Sequence, residues 1–176
     1  TAVILGWQEV TGAAHLYYAG GAALNIPTNA RIEASGRFRS VHLPPCTNDT
    51  GLGLGAAAWI EYRERGEVEV NGPFLARGEG AEVTLAHVDE IAERLAAGDV
   101  FGLCNGDAEV GPRALGHRSI VARPDDIALR KRVSETIKGR EAYRPVAPMV
   151  LDEVARQAFG PEVAASPLAA LMLVIG

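Results

Sequence analysis

A chain of 176 residues with 48% hydrophobic and 22% charged residues is long enough to bury a core and too apolar for a disordered or collagen-like polymer. A formal charge of -5 argues against wholesale nucleic-acid binding, which needs surplus Lys and Arg to neutralise many phosphates, and leaves room for a local basic site. The length admits one medium domain or pieces of two.

In chain order, short apolar runs alternate with glycine turns and helical patterns, as α/β units do. Leu16 to Ala19 reads as a strand running into Gly20-Gly21. Ala22 to Ser35 reads as helical, interrupted by Pro27, restarted with Thr28 as N-cap, and closed by Gly36. Val41 to Leu43 is a second strand, halted by Pro44-Pro45; Asn48 to Gly55 is a second glycine turn and Ala56 to Arg65 a helix. The order strand, glycine turn, helix thus occurs twice. Gly66 to Gly80, with alternating Val68 and Val70, is the candidate domain boundary. Val83 to Ala97 follows as an amphipathic helix with Val88, Ile91, Ala92 and Leu95 on one face and Gly98 as its stop. Val100 to Cys104 reads as a buried strand. Asp125 or Asp126 caps a helix with apolar positions Leu129, Val133 and Ile137 that ends at Gly139. Asp152 to Phe159 is a further helix terminated by Gly160-Pro161, and the apolar finish, Leu168 to Ile175, reads as a strand or partner-facing tail of a fragment.

Cys46 and Cys104 have no Cys-x-x-Cys or Cys/His neighbours at zinc spacing and are expected as free, buried thiols. No apolar run approaches the roughly 20 residues of a membrane helix, and Thr1 to Val10 lacks a basic stretch followed by an apolar core. A soluble cytoplasmic protein is the expectation, with no membrane and no nucleic acid among its partners. Trp7, Trp59, Tyr17 and Tyr18 are expected in the core; Tyr143 suits either core packing or stacking on a base.

Charge is segregated along the chain. Of seventeen Lys and Arg, nine lie between Arg113 and Arg144, against four acids, Asp125, Asp126, Glu135 and Glu141. A cationic pocket in an acidic protein suits a small anion such as phosphate. Arg130, Lys131 and Arg132 read as a solvated helix face, because consecutive helix residues cannot all face one ligand. Arg113 and Arg118 sit differently, in Gly111-Pro-Arg-Ala-Leu-Gly-His-Arg-Ser119, where glycines allow close backbone approach and Ser119 adds a hydroxyl. Lys138, Arg140 and Arg144 flank the helix stop at Gly139 and run into Pro145. On spacing alone, this is either a two-turn anion site or capping of a helix C-terminus by cations.

Gly111-Pro-Arg-Ala-Leu-Gly-His-Arg-Ser-Ile120, followed by Ile137-Lys-Gly-Arg-Glu-Ala-Tyr-Arg-Pro-Val-Ala-Pro148, closely resembles the signature of the O-carbamoyltransferase family that includes nodulation and antibiotic-tailoring enzymes. Glu109 matches that pattern; His117 stands where Asn is common, and Asp107 and Val110 where Arg and Trp are often seen. Leu16 to Asn25 and Asn48 to Gly55 resemble two strand-turn-helix segments of the family's actin-like domain. The resemblance implies an α/β (α+β) fold: the end of an actin-like ATPase domain over 1–66, a linker at 67–81, and an incomplete YrdC-like carbamoyltransferase C-terminal domain over 82–176.

It further implies that ATP, carbamoyl phosphate and Mg2+ meet in the YrdC-like domain. Arg113, Arg118, Lys138 and Arg144 would serve catalysis there, with Ser119, Arg140 and His117 binding. Gly20, Gly21, Asn25 and Gly51 would belong to phosphate-cradling turns, and Asp49 would ligate iron or another divalent metal. The family's paired metal-binding histidines lie before this region; His15, His42 and His87 are expected to be structural, and His117 is set apart by its place in the anion turn. The implied reaction makes carbamoyl-adenylate and passes the carbamoyl group to a hydroxyl of a small-molecule acceptor, with a missing N-terminal portion or partner chain completing the site. A nucleotide or carbamoyl-phosphate binding module without catalysis, and a threonylcarbamoyl-adenylate synthase relative, are the alternatives.

Overall fold

A computed structural model describes residues 1–69, 72–76 and 85–173. Val70 and Gly80 of the expected boundary, the start of the helix at Val83 and the end of the apolar tail at Ile175 lie outside them. The chain forms two compact units. One comprises Thr1–Leu75, Val110–Arg113 and Val150–Gly176, the other Ala76–Glu109 and Ala114–Met149.

The first unit opens with α1 (Ala2–Thr11), closed by Gly12 in the left-handed region at φ 65°. Strand β1 (His15–Tyr17) pairs in parallel with β2 (Ser40–His42), in the register His15 to Ser40 and Tyr17 to His42. A parallel pair needs a crossover, supplied here by a 3-10 turn (Gly21–Leu24) and α2 (Ile26–Ala34). The N-cap of α2 is Asn25 and not Thr28: the Asn25 Oδ1 accepts the Thr28 N–H at 3.0 Å, because Pro27 already occupies the first turn. After β2, a 3-10 turn (Asp49–Gly51) leads into α3 (Leu52–Arg65), which starts before Ala56 and ends at Gly66 with φ 77°. Strand β3 (Phe74–Ala76) begins in this unit.

The core of the first unit is Ala23, Leu43, Leu168 and Leu173, with Tyr18, Leu24 and Val41 against it. Each buried Leu stabilises by about 1.5–3 kcal/mol relative to exposure. Two of the four come from the chain end, where α6 (Asp152–Phe159), α7 (Pro161–Ala165) and α8 (Pro167–Ala170) follow one another. Gly160, at φ 87°, ends α6 at Phe159 as expected, and Pro161 at once opens α7, where its missing N–H costs nothing. The expected apolar strand is α8 and a turn, and Leu168 and Leu173 face this unit's own core. The seam is polar. Ser166 Oγ caps Leu168 N–H and donates to Glu33 Oε1 at 2.8 Å, and the buried Asn29 donates to the carbonyls of Ala23 and Leu173.

In the second unit α4 (Leu85–Ala96) ends near Gly98 and β4 (Phe101–Cys104) follows. The Arg94 guanidinium lies 4.9 Å from the Phe101 ring centroid, and its Nε donates to Asp99 at 2.8 Å. Strand β4 pairs antiparallel with β6 (Arg118–Val121), across a loop that contains the short β5 (Ala108–Glu109). Strand β4 is not buried; Phe101 and Leu103 are half-buried while Gly102 and Cys104 are exposed, as on a sheet with one wet face. Asp126 caps α5 (Ile127–Lys131), accepting the N–H groups of Ala128 and Leu129. The chain then widens into a π-helix (Arg132–Ile137), closed by Lys138 N–H to Val133 carbonyl at 3.1 Å. Leu129 and Val133 are buried as expected, and the wider turn leaves Ile137 exposed.

The aromatic residues depart furthest from expectation. Trp7, Trp59 and Tyr17 are exposed, and only Tyr18 packs on the core. Helices α1 and α3 contain no fully buried residue; Ile4, Leu5 and Leu54 are half-buried, and Trp7 and Trp59 stay exposed. Tyr143, at 81% exposure, is not a core residue. Both cysteines are free, Cys46 half-buried and Cys104 exposed. None of the described helices is long and apolar enough to cross a membrane.

Candidate functional site

In the first unit the two glycine turns lie at the carboxyl ends of the parallel strands β1 and β2, where open α/β sheets bind ligands. Gly20, at φ 99°, donates its N–H to the Thr47 carbonyl at 2.6 Å, so this donor is spent on joining the turns. Gly21 opens the 3-10 turn and Asn25 spends its side chain on capping α2. Gly51 packs so closely on Cys46 that a Cβ would overlap the Cys46 carbonyl oxygen. Asp49 is exposed, next to a Thr50 Oγ1 to Asn48 Oδ1 hydrogen bond of 2.6 Å.

The segment Val110–Arg113 packs in this unit too. Gly111 has φ 111° and its Cα lies against Pro45; a side chain there would overlap the Pro45 carbonyl. Arg113 reaches the first glycine turn, donating from a terminal nitrogen to the Leu24 carbonyl at 3.0 Å. Its Nε and the Thr47 Oγ1 are buried without hydrogen-bond partners among the described residues. Thr47, 3% exposed, is a polar residue that its place in a proline-rich turn did not single out.

In the second unit the loop between β4 and β6 closes on itself. Glu109 Oε1 accepts the N–H groups of Leu115, His117 and Arg118 at 2.7, 2.8 and 3.0 Å. Partial burial pushes this carboxyl up, while the N–H groups of Arg118, Leu115, Glu109 itself and His117 pull it down, leaving it below the ordinary glutamate value. Arg118 donates to the carbonyls of Asn105 at 3.2 Å and of Gly106 and His117 at 3.0 Å. Those bonds take three of the roughly five donors of a guanidinium. His117 Nδ1 lies 2.6 Å from the Asp107 carbonyl, and Ser119 Oγ accepts the Gly116 N–H at 3.0 Å.

The second expected turn, after the π-helix, carries Lys138, Arg140 and Arg144. Arg140 N–H bonds the Ser134 carbonyl at 2.9 Å, which fixes the turn at Gly139, φ 58°. Arg144 pairs with Glu141 at 2.7 Å and Lys138 is exposed. The Glu141 carboxyl is held below its ordinary value, first by its own N–H, then, against the effect of burial, by Arg144 and Arg140. Arg130, Lys131 and Arg132 are exposed, as a solvated face requires. The nine-residue motif that looks like one turn in the sequence thus spends its two arginines separately, Arg113 on the first unit's backbone and Arg118 on the second's.

Among the described residues there is no cluster of three or more His, Cys, Asp or Glu able to hold a metal. Asp49 offers a single carboxylate. His15 Nδ1 is engaged with Ser40 Oγ at 2.8 Å, and His42 stacks on Tyr17 at 4.8 Å.

Two family models match the chain, the carbamoyltransferase N-terminus over residues 6–58 and the carbamoyltransferase C-terminus over residues 92–175. The chain belongs to the carbamoyltransferase family. It is 36% identical over 172 residues to nodulation protein NolNO of Sinorhizobium fredii, with 86% of this chain and 25% of that protein covered. Nodulation protein U of the same organism is 37% identical, at 88% and 29% coverage. The 3'-hydroxymethylcephem-O-carbamoyltransferase of Streptomyces clavuligerus is 38% identical, at 81% and 29% coverage. The chain therefore spans between a quarter and a third of the length of these curated relatives.

Proposed function

We propose that this chain is the part of an ATP-dependent O-carbamoyltransferase that activates the carbamoyl group, and that 82–176 is its YrdC-like domain and 1–66 the end of an actin-like transfer domain. The observation that carries this reading is the joint match to both family models, with the basic turns of the motif falling inside the C-terminal one. Carbamoyl phosphate, ATP and one water give carbamoyl-adenylate, phosphate and pyrophosphate. The carbamoyl group then passes to a hydroxyl of a small-molecule acceptor, and adenylate leaves.

The resemblance assigns Arg113, Arg118, Lys138, Arg140 and Arg144 to offsetting the phosphate charge and Ser119 to offering its hydroxyl proton. Mg2+ enters with ATP as part of the substrate. The lone Asp49 carboxylate does not fit a bound metal by itself; a metal ligated by Asp49 needs further donors from beyond the described residues.

The test is pyrophosphate release from ATP with carbamoyl phosphate, comparing the parent with Arg113→Ala and Arg144→Ala. A fall of tenfold or more in both is expected, and undiminished release in both sinks the anion-site assignment. A second reading, a binding module without catalysis, is favoured by the single carboxylate at Asp49. Its signature is binding of carbamoyl phosphate or ATP with no pyrophosphate released.

A further inference from the structure

We infer that Glu109 is the positioning residue of the carbamoyl-phosphate site: it holds the turn 115–118 from inside and so sets the Ser119 hydroxyl for the ligand. The inference rests on the proposed carbamoyl-activating function.

Three backbone N–H groups of one short turn converge on one carboxylate oxygen, at 2.7 to 3.0 Å. Such a concave set of amides is a ready anion cradle. Here the chain's own carboxylate fills it, so these N–H groups are not donors to a phosphate. The opposite polarity is met in the same way, since Arg118 collects the carbonyls of Asn105, Gly106 and His117. With Asn105 N–H on the His117 carbonyl at 3.0 Å, both ends of the loop are pinned.

What the pinned loop presents is Ser119. This residue is the second of β6, opposite Leu103, and its oxygen takes the Gly116 N–H from the preceding turn. A hydroxyl whose oxygen already accepts is turned to donate its proton, which is the polarity a phosphate or carbamoyl oxygen requires. Glu109 touches no ligand in this scheme and acts only through the turn.

The experiment is Glu109→Gln in the protein, with Glu109→Ala beside it, read in two ways. Amide hydrogen exchange of Leu115, His117 and Arg118 should speed up at least tenfold in both variants, while the amides of β4 and of the rest of β6, Ser119 to Val121, keep their protection. In pyrophosphate release, the KM for carbamoyl phosphate should rise tenfold or more with the KM for ATP within twofold. A merely structural role lowers the active fraction, hence kcat, with both KM values unchanged, and that result overturns the inference. Unaltered exchange at the three amides overturns it as well. If the unsubstituted protein releases no pyrophosphate, the proposed function is what has failed; titration with carbamoyl phosphate then replaces the kinetic arm, and equal affinity in parent and Glu109→Gln overturns the inference.

Discussion

Asn29 and Leu173 stand 144 positions apart and meet through a 2.8 Å hydrogen bond, the fully buried Asn29 amide donating to the Leu173 carbonyl. The same amide nitrogen also serves the Ala23 carbonyl, so one side chain joins α2, the first glycine turn and the chain end. Replacing it with Ala leaves two carbonyls without this donor beside the core cluster of Ala23, Leu43, Leu168 and Leu173. The expected cost is about 1–3 kcal/mol per stranded group. Urea unfolding monitored by far-UV circular dichroism checks this; a change below about 0.5 kcal/mol contradicts it.

Asn25 separates a capping role from a binding one. Its side chain is committed to the Thr28 N–H. Asn25→Ser or Asn25→Asp should keep stability, and Asn25→Ala should lose about 1 kcal/mol, the usual worth of an N-cap. If affinity for ATP falls equally in Ser, Asp and Ala variants with stability intact, the side chain serves the nucleotide.

Gly111→Ala should uncouple the segment 110–113 from the turn after β2. A methyl group there meets the Pro45 carbonyl, and φ 111° is a backbone state that L residues rarely adopt. Destabilisation of about 1–3 kcal/mol is expected. It should come with loss of protection at the Val110 amide, which now donates to the Pro73 carbonyl at 2.7 Å.

Much of this could be read along the chain, and what could not has a common cause. The two strand-turn-helix segments, a cap at Asp125 or Asp126 and the helix at Asp152 were legible because glycine, proline and capping residues act locally. The destination of Arg113 was not, since it depends on Leu24, 89 positions away, and neighbours in a motif need not share a partner. Trp7 and Trp59 misled because apolar residues are common on surfaces; hydrophobicity predicts burial in one direction only. Ile137 kept the four-residue spacing of Leu129 and Val133, but that spacing does not reveal a π-turn. The helix stop before Gly139 fell where the pattern put it, whereas a lone Glu109 carries no sequence signal that it will collect three amides.

Acid should act on the loop through Glu109. Its folded pKa lies below the ordinary 4.5, so above that value the carboxylate is ionised in both states and its three hydrogen bonds contribute fully. As the pH falls, the unfolded chain takes up its proton first and the contribution shrinks; it is lost once the pH passes below the folded value. The charged or titratable neighbours in the loop are Asp107, His117 and Arg118, the last two with their side chains on backbone carbonyls. The stability difference between parent and Glu109→Gln, about 1–3 kcal/mol at pH 7, should therefore close below pH 4.5. A difference that stays constant from pH 7 to pH 3 argues against the assignment.

The Arg144 and Glu141 pair offers an electrostatic test of the anion site. Both side chains are about half exposed, and a pair of this kind contributes little to stability because solvent screens it and both side chains lose freedom. Glu141→Gln should therefore leave stability almost unchanged. It removes the one acid in the stretch from Lys138 to Arg144, which releases Arg144 and raises the local positive charge. Carbamoyl phosphate should then bind several-fold more tightly in Glu141→Gln and at least tenfold more weakly in Arg144→Ala. The gain should fade as ionic strength rises, since exposed charges are screened over about 8–10 Å at physiological salt. Isothermal titration at low and high salt checks both directions. If Glu141→Gln weakens binding as much as Arg144→Ala does, the ion pair works as one unit holding the turn, and the free charge of Arg144 is not what the ligand meets.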